Sequence, residues 1–289
     1  MSRLRDALQA GEFAVTAEIA PPHGTDLAGM LRAVEVLGPS CHAINVTDNQ
    51  GATLHVSSLA ASKAVLDAGA EPVFQVTCRD RNRLALQSEL LSAWTLGLEN
   101  VLVLTGDDPR GGDHPESKGV FDLDSTQLIS ATVGLNEGID MAGQELDGAT
   151  DLYVGAAVFP EARPWGVQLD RALAKVEAGA RFMQTQAIFD FETLASAVDD
   201  LRPSGVKVLA GILLLKSPGV IDFINNRLAG LMIPEHVAER IRNAEDPLEE
   251  SIVLATEQVR AARQIADGVH IMPLGKDEVV ARILADAGV

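Results

Sequence analysis

The chain has 289 residues, of which 47% are hydrophobic and 22% charged, a composition typical of a folded globular protein and not of a disordered one. Its 23 basic and 41 acidic residues give a net charge of −18, which argues against non-specific binding to nucleic acid. Two cysteines argue against a disulfide framework, and the N-terminal residues lack the apolar core of a signal peptide. No apolar run approaches the roughly 18 residues of a transmembrane helix. We therefore expect a cytoplasmic protein with no membrane span.

Short β-rich runs alternate with amphipathic stretches of helical length along the chain. The eight predicted strands are residues 13–19, 43–47, 72–78, 101–104, 152–157, 182–186, 206–211 and 269–272. The helices predicted after the first seven strands are residues 26–37, 57–68, 81–96, 125–134, 168–178, 190–201 and 218–226. Two further helices, 235–243 and 247–266, precede the eighth strand, and a helix over 277–287 follows it.

Glycine and proline indicate where several of these helices end or begin. Gly97, Gly179 and Gly268 each stand just before a predicted strand, so we expect them to end three helices. The pair Asp246-Pro247 predicts the start of another helix, with proline at the first helical position.

Eight strands alternating with helices predict an α/β fold, a single-domain (β/α)₈ TIM barrel over residues 1–289. A doubly wound open sheet is the alternative, but no GxGxxG follows the first strand and no GxxxxGK[ST] occurs. The one long irregular stretch, residues 107–124, follows the fourth strand and is rich in Gly, Pro and Asp. Loops of this length are usually functional or mobile.

Polar residues at the carboxyl ends of the strands are the candidates for chemistry in such a barrel. Alternation along the first strand places Glu18 on the opposite face from Val15, Ala17 and Ile19, just before a Pro-Pro turn. Glu18 is therefore either an ion-paired or exposed carboxylate, or a general acid whose pKa is raised by burial.

Three further residues have both an ordinary and a functional interpretation. Asp107 follows Gly106, which lets a backbone approach a ligand closely, although Asp107 is also a common turn residue. Gln186 ends an apolar strand, where its amide could pair with a heterocycle or be satisfied in the core. Lys175 lies on a predicted helix and by itself reads as a surface charge. The six histidines show no metal-ligand spacing, so we expect no metal.

At these residues the sequence resembles the methylenetetrahydrofolate reductase family. The resemblance spans nearly the whole chain and is specific because its motifs occur together in one order. They are VTAEIAPPHGTD, VTDNQGA, QVTCRDRNR, VLVLTGDDPRGGDHPESKGVFDLDS, GLNEGIDMAGQEL, GARFMQTQAIFD, AGILLLKS and GLMIPEH. The TGDDP loop looks closer to the short bacterial reductases than to the enterobacterial type, and the length suits the catalytic barrel alone.

The resemblance implies a flavoprotein in which FAD, reduced by NAD(P)H, passes hydride to 5,10-methylenetetrahydrofolate and produces 5-methyltetrahydrofolate. Glu18 matches the acid that protonates the folate nitrogen and opens its ring. Asp107 matches the acid near flavin and pterin, and Gln186 the glutamine that contacts folate and nicotinamide. Thr47 and Lys175 match flavin-contacting residues. The implied role is a step of one-carbon metabolism leading to methionine.

Several cofactor positions, and one folate-stacking position at Pro218, depart from the enterobacterial pattern. Next to Gly106, the family's arginine is replaced by Thr105. The other replacements are Gln75 for a histidine, Phe159 for a tyrosine, Gln168 for an aspartate and Pro218 for a phenylalanine. FMN, or no flavin at all, is therefore an alternative to FAD. Candidate cations for a pyrophosphate are Arg79, Arg81, Lys118 and Arg163.

Two other classes of function stay open from the sequence. One is a reductase that takes electrons from a partner subunit, such as ferredoxin or another flavoprotein. The other is a non-redox pterin-binding methyltransferase or folate-binding subunit. We expect a homo-oligomer in each case.

Overall fold

The computed structural model describes residues 2–227 and 231–289, and its eight parallel strands close into a barrel in chain order, which confirms the predicted fold. The strands are β1 (Ala14–Ile19), β2 (Ala43–Val46), β3 (Pro72–Thr77), β4 (Asn100–Leu104), β5 (Tyr153–Val158), β6 (Phe182–Ala187), β7 (Lys207–Leu213) and β8 (Gly268–Met272). Pairing of β1 with β8 completes the barrel.

Helices surround this barrel and also precede it. They are α1 (Arg3–Ala10), α2 (Ala28–Leu37), α3 (Ser58–Asp67), α4 (Arg83–Thr95), α5 (Ser125–Asn136), α6 (Trp165–Glu177), α7 (Phe191–Leu201), α8 (Pro218–Arg227), α9 (Glu235–Arg242), α10 (Pro247–Ala262) and α11 (Val280–Ala287). Helix α1 was absent from the sequence-based prediction.

Of the three glycines predicted to end helices, two do so, and the prediction for the third is wrong. Gly97 and Gly179 follow α4 and α6 with φ of 88° and 118°, as expected. Gly268 instead begins β8, where it pairs with Ala14 and Leu209. A Cβ on Gly268 would lie 2.2 Å from the carbonyl oxygen of Ala14. Close packing of three strands, and not a helix end, therefore requires glycine here.

Several helix boundaries differ from the prediction by a few residues. Helix α4 begins at Arg83, since the Asn82 side chain accepts a hydrogen bond from Ala85 N. Helix α6 begins at Trp165, which places Gln168 inside its first turns. Helix α10 begins at Pro247 as predicted, with Asp246 as its cap, but ends at Ala262.

The barrel separates two packing layers. Outward-facing residues of the strands, among them Val15, Ala17 and Ile19, pack against the surrounding helices, as the alternation in β1 predicted. Inward-facing residues at the amino ends of the strands, among them Ala43, Val73 and Phe182, pack against Leu4 and Leu8 of α1. We call this the lower end of the barrel, and α1 closes it.

Polar contacts fix α1 to the lower end. Glu71 accepts hydrogen bonds from the backbone N–H groups of Arg3 and Leu4, at 2.6 and 3.1 Å, and from Asn100 Nδ2 at 2.7 Å. Arg5 forms an ion pair with Asp151 at 2.7 Å. These bonds join residues that lie far apart in the chain, so the helix is held by the assembled barrel.

Candidate active site

A cavity of about 520 Å³ opens at the carboxyl ends of the strands, which we call the mouth. Its walls come from β1, β3, β4, β5, β6, helix α6 and the turns after β2 and before α5. The predicted site residues that line it are Glu18, Gln75, Thr105, Gly106, Asp107, Phe159, Gln168, Lys175 and Gln186. The structure therefore brings together residues as far apart in the chain as Glu18 and Gln186.

Thr47 is the predicted site residue that does not line the cavity. It follows β2, is 1% exposed, and its hydroxyl has no hydrogen-bond partner among the described residues. Its neighbour Asp48 lines the cavity instead.

Glu18 lies near the end of β1 with 13% of its side chain exposed. From the mouth side, Gln50 Nε2 donates a hydrogen bond to Glu18 Oε1 at 3.2 Å. From inside the barrel, His270 Nε2 lies 3.6 Å from Glu18 Oε2. The carboxyl group is thus shielded from most solvent but still reaches the cavity.

A layer of polar side chains forms the floor beneath Glu18. Thr16 Oγ1 lies 3.0 Å from His270 Nδ1, and Asn45 Nδ2 donates to Gln184 Oε1 at 2.7 Å. Thr16, Asn45 and His270 were not among the site residues predicted from the sequence. The signal that could have found them is a polar residue at an inward position of an otherwise apolar strand.

Gly106 and Asp107 form the edge of the cavity after β4. Gly106 has φ of 92°, and a Cβ there would lie 2.8 Å from Arg79 Cβ and 3.1 Å from Thr77 Cβ. Glycine is therefore required on both conformational and steric grounds. Asp107 Oδ2 accepts a hydrogen bond from Gly51 N at 3.0 Å, which orients this otherwise exposed carboxylate.

Two of the candidate cations are neutralised by carboxylates. Arg81 forms an ion pair with the fully buried side chain of Asp48 at 2.9 Å. Arg79 donates to both oxygens of Asp80, and this hydrogen bonding raises its pKa. Arg79 lines the cavity, but its Nη1 is buried and has no hydrogen-bond partner among the described residues. Lys118 and Arg163 are not among the lining residues.

Lys175 and Arg171 bring positive charge to the part of the cavity wall that α6 forms. Lys175 Nζ donates to the carbonyl oxygen of Ala157 at 2.7 Å. Burial lowers the pKa of Lys175 and the nearby Arg171 lowers it further, while Asp124 acts in the opposite direction. Lys175 is thus a partly buried wall residue and not the surface charge that its helix pattern alone indicated.

Residues 107–124 cross the mouth and dock on the turn after β2. Asp113 accepts hydrogen bonds from Leu54 N at 3.2 Å and from His114 Nδ1 at 2.8 Å, and it lies 3.3 Å from His23 Nε2. A Cβ on Gly112 would lie 1.9 Å from the carbonyl oxygen of Ala52, so the two segments touch through backbone. We call these contacts the loop clasp.

The residues that the structure describes contain neither a metal-binding cluster nor a membrane-spanning helix. No three histidine, cysteine or acidic side chains there are arranged to hold a metal ion. No helix within residues 2–227 and 231–289 has the length and apolar character needed to cross a membrane.

Known proteins resemble this chain over most of its length. The family model described as methylenetetrahydrofolate reductase matches residues 3–288. A probable NADPH-type methylenetetrahydrofolate reductase of Caenorhabditis elegans is 28% identical over 80% of this chain and 34% of its own length. The 5,10-methylenetetrahydrofolate reductase of Pectobacterium carotovorum is 26% identical over 70% of this chain and 64% of its own.

The chain therefore spans about a third of the length of the nematode relative. Among solved structures, an uncharacterized Clostridium thermocellum protein that binds two copies of 5-methyl-5,6,7,8-tetrahydrofolic acid aligns with a TM-score of 0.64 and 14% identity, over 99% of this chain and 98% of that one. That likeness concerns the fold. The match of the family model over residues 3–288 establishes that the chain belongs to the methylenetetrahydrofolate reductase family.

Proposed function

We propose that the chain reduces 5,10-methylenetetrahydrofolate to 5-methyltetrahydrofolate, with NAD(P)H as the source of hydride. The observation that carries this proposal is the meeting of Glu18, Asp107 and Gln186 in one cavity at the mouth. They come from β1, from the turn after β4 and from β6, and they are the three residues that the family resemblance assigns to the folate.

Each of the three side chains suits a different part of the reaction. The five-membered ring of the folate is a poor hydride acceptor until a proton opens it to a cation. Glu18 is sheltered from solvent and reaches the cavity, so it can hold that proton and deliver it to the folate nitrogen. The Gln186 amide offers both a donor and an acceptor to a heterocycle. Asp107, oriented by the hydrogen bond from Gly51 N, offers a carboxylate at the edge of the cavity that would contact the pterin.

The cavity walls fit a flavin nucleotide. The partly exposed aliphatic residues Leu104 and Ala157 offer a surface for a planar ring, and Gly106 lets the backbone approach it. Lys175 and Arg171 would bind its phosphate groups. Thr105, Gln75, Phe159 and Gln168 line the same cavity and would contact the cofactor. When bound, the flavin supplies the hydride-transfer chemistry. We propose FAD, with FMN or direct transfer from the nicotinamide as the alternatives.

The visible spectrum of the purified protein, followed by an anaerobic assay with methylenetetrahydrofolate, tests the proposal. We expect flavin absorption that NADH or NADPH bleaches and that the folate restores. A colourless protein that still oxidises nicotinamide when folate is added would support direct transfer. A flavin that neither nicotinamide reduces would indicate a partner subunit. A colourless protein that binds folate and oxidises neither nicotinamide would overturn the proposal in favour of a non-redox role.

A further inference from the structure

The buried His270 is one of several polar residues of the barrel interior that the proposed chemistry leaves unused. It lies in β8, is 1% exposed, and faces Glu18 and Thr16 of the neighbouring strand β1. Its Nδ1 lies 3.0 Å from Thr16 Oγ1, while its Nε2 has no hydrogen-bond partner among the described residues. An imidazole nitrogen without a partner in a core is costly, so its retention requires a reason.

The hydrogen bonds around Thr16 determine which ring nitrogen carries the proton. The Thr16 hydroxyl has two acceptors in reach, the carbonyl oxygen of Val269 at 3.4 Å and His270 Nδ1 at 3.0 Å. A hydroxyl that donates to Val269 accepts from Nδ1–H, whereas a hydroxyl that donates to Nδ1 leaves the proton of a neutral imidazole on Nε2. The second arrangement directs an N–H at Glu18 Oε2, which lies 3.6 Å from Nε2.

We propose that His270 is a positioning residue for Glu18, with its Nε2–H directed at the carboxyl group from inside the barrel. A small rotation of the Glu18 carboxyl would bring its Oε2 within hydrogen-bonding distance of Nε2. This inference rests on the proposed function, because it assigns His270 the task of holding the acid in the orientation that reaches the folate nitrogen.

The two partners of Glu18 differ in how firmly they are held. Gln50 is exposed, on the turn after β2, so an entering ligand can displace it. His270 is fixed, because β8 pairs with β1 with His270 opposite Thr16. A rigid partner below and a displaceable partner above would keep the carboxyl group oriented when the mouth fills.

Activity measurements on H270L and H270Q test this assignment. H270L removes the donor at similar bulk, whereas H270Q keeps an amide N–H on a flexible side chain. We expect kcat for folate reduction to fall on the order of 10²-fold in H270L, the scale of a misplaced catalytic group, and by less than about tenfold in H270Q. The KM for NAD(P)H should not change in either variant.

A matched control is Y153F, which alters a buried aromatic residue at the lower end of the same barrel. It should leave kcat unchanged. T16V keeps the shape of Thr16 but removes its hydroxyl. It should therefore lower kcat by a smaller factor than H270L does. Equal kcat in H270L and the parent protein would overturn the proposal, as would an equal loss in H270L and H270Q.

A spectroscopic measurement separates this inference from the proposed function. In protein with ¹⁵N-labelled histidine, the His270 signals are identified by their loss in H270Q. We expect a neutral ring with the proton on Nε2, a shift of that signal in Glu18→Gln, and loss of the tautomer preference in T16V. A ring protonated on Nδ1, or a signal insensitive to Glu18→Gln, would overturn the positioning role. Because this measurement needs no turnover, it tests the role of His270 even if the protein fails to reduce folate.

Discussion

The two ends of the barrel differ in how completely their polar groups are satisfied. At the lower end, Glu71 bonds the backbone of α1 and Asn100, and apolar side chains fill the interior. In the upper half, buried polar atoms of Asn45, Thr47, Arg79 and His270 have no partner among the described residues. At the lower end, Arg5 Nε also lacks a hydrogen-bond partner among the described residues, although the other two guanidinium nitrogens of Arg5 donate to Asp151. Buried polar atoms without a partner are therefore more numerous in the upper half of the barrel, where the cavity lies, than at the lower end.

The largest expected effect is at the mouth and concerns Glu18→Gln. This change keeps the shape of the side chain and removes its acidic proton. Folate reduction should fall by ~10²–10⁴-fold, the usual contribution of general acid catalysis. Oxidation of NAD(P)H with an artificial acceptor should continue at the parent rate, and the thermal unfolding midpoint should stay the same. Steady-state assays with both acceptors check this, and near-normal folate turnover would remove Glu18 from the mechanism.

The matching change at the lower end is Glu71→Ala. It removes the acceptor for Arg3, Leu4 and Asn100, so the free energy of unfolding should fall by about 3 kcal/mol. Folate reduction at a temperature where the variant is folded should stay within about twofold of the parent, because the site lies at the other end. Denaturant titration gives the stability, and Glu12→Ala, at an exposed position near α1, is the control. A stable variant with impaired turnover would contradict this division between the ends.

A smaller effect is expected at the cavity wall from Lys175→Met. Methionine forms helices well and retains the apolar part of the side chain, so the fold should persist. Loss of the charge should weaken flavin retention by about 1–3 kcal/mol, the scale of a charge-assisted hydrogen bond. Flavin fluorescence during dialysis at low and moderate salt measures the change, with Lys63→Met on the remote helix α3 as the control. Equal retention in both variants would move the phosphate site away from α6.

The smallest expected effect concerns the loop clasp, which we predict to open and close over ligand. The hydrogen bond from His114 holds the pKa of Asp113 below its ordinary value of 3.8, and the Leu54 N–H acts in the same direction. Since the folded-state pKa is lowered, the stabilisation from Asp113 is present above about pH 4 and is lost as the pH falls through the folded-state value.

Hydrogen exchange of residues 107–124, corrected for intrinsic rates, should therefore increase several-fold as the pH falls below 4, while circular dichroism shows the barrel still folded. Asp113→Asn should show faster exchange at neutral pH and less dependence on pH. Bound folate should slow exchange in the parent protein. Identical exchange with and without folate would indicate a loop that does not move with ligand.

Much of the fold could be predicted from the sequence, because strand and helix periods alternate along the chain. Gly268 shows the limit of such local patterns. Its position before a β-rich run suited a helix end, while its real constraint is the backbone of Ala14, more than 250 residues away. Helix α1 escaped prediction for a similar reason, since its partners Glu71 and Asn100 become neighbours only when the barrel closes.

The candidate site shows the same limit. Glu18, Asp107 and Gln186 could be selected because each stands at a strand end beside a turn or in a family motif. His270 could not, because its meaning depends on the register that places it opposite Thr16 and beneath Glu18. Thr47 was selected by family resemblance, but its side chain is not part of the cavity lining.

The closure of the lower end by α1 also has a consequence for the order of events during synthesis. Helix α1 leaves the ribosome before its partners Asn100 and Asp151, which follow about 98 and 146 residues later. At ~5–20 residues per second, this leaves the segment without these partners for roughly five to thirty seconds. An eight-residue helix is not stable alone in water, so it forms when the barrel strands are ready to receive it. Helix α1 is thus made before the barrel that receives it and reaches its final place only after that barrel.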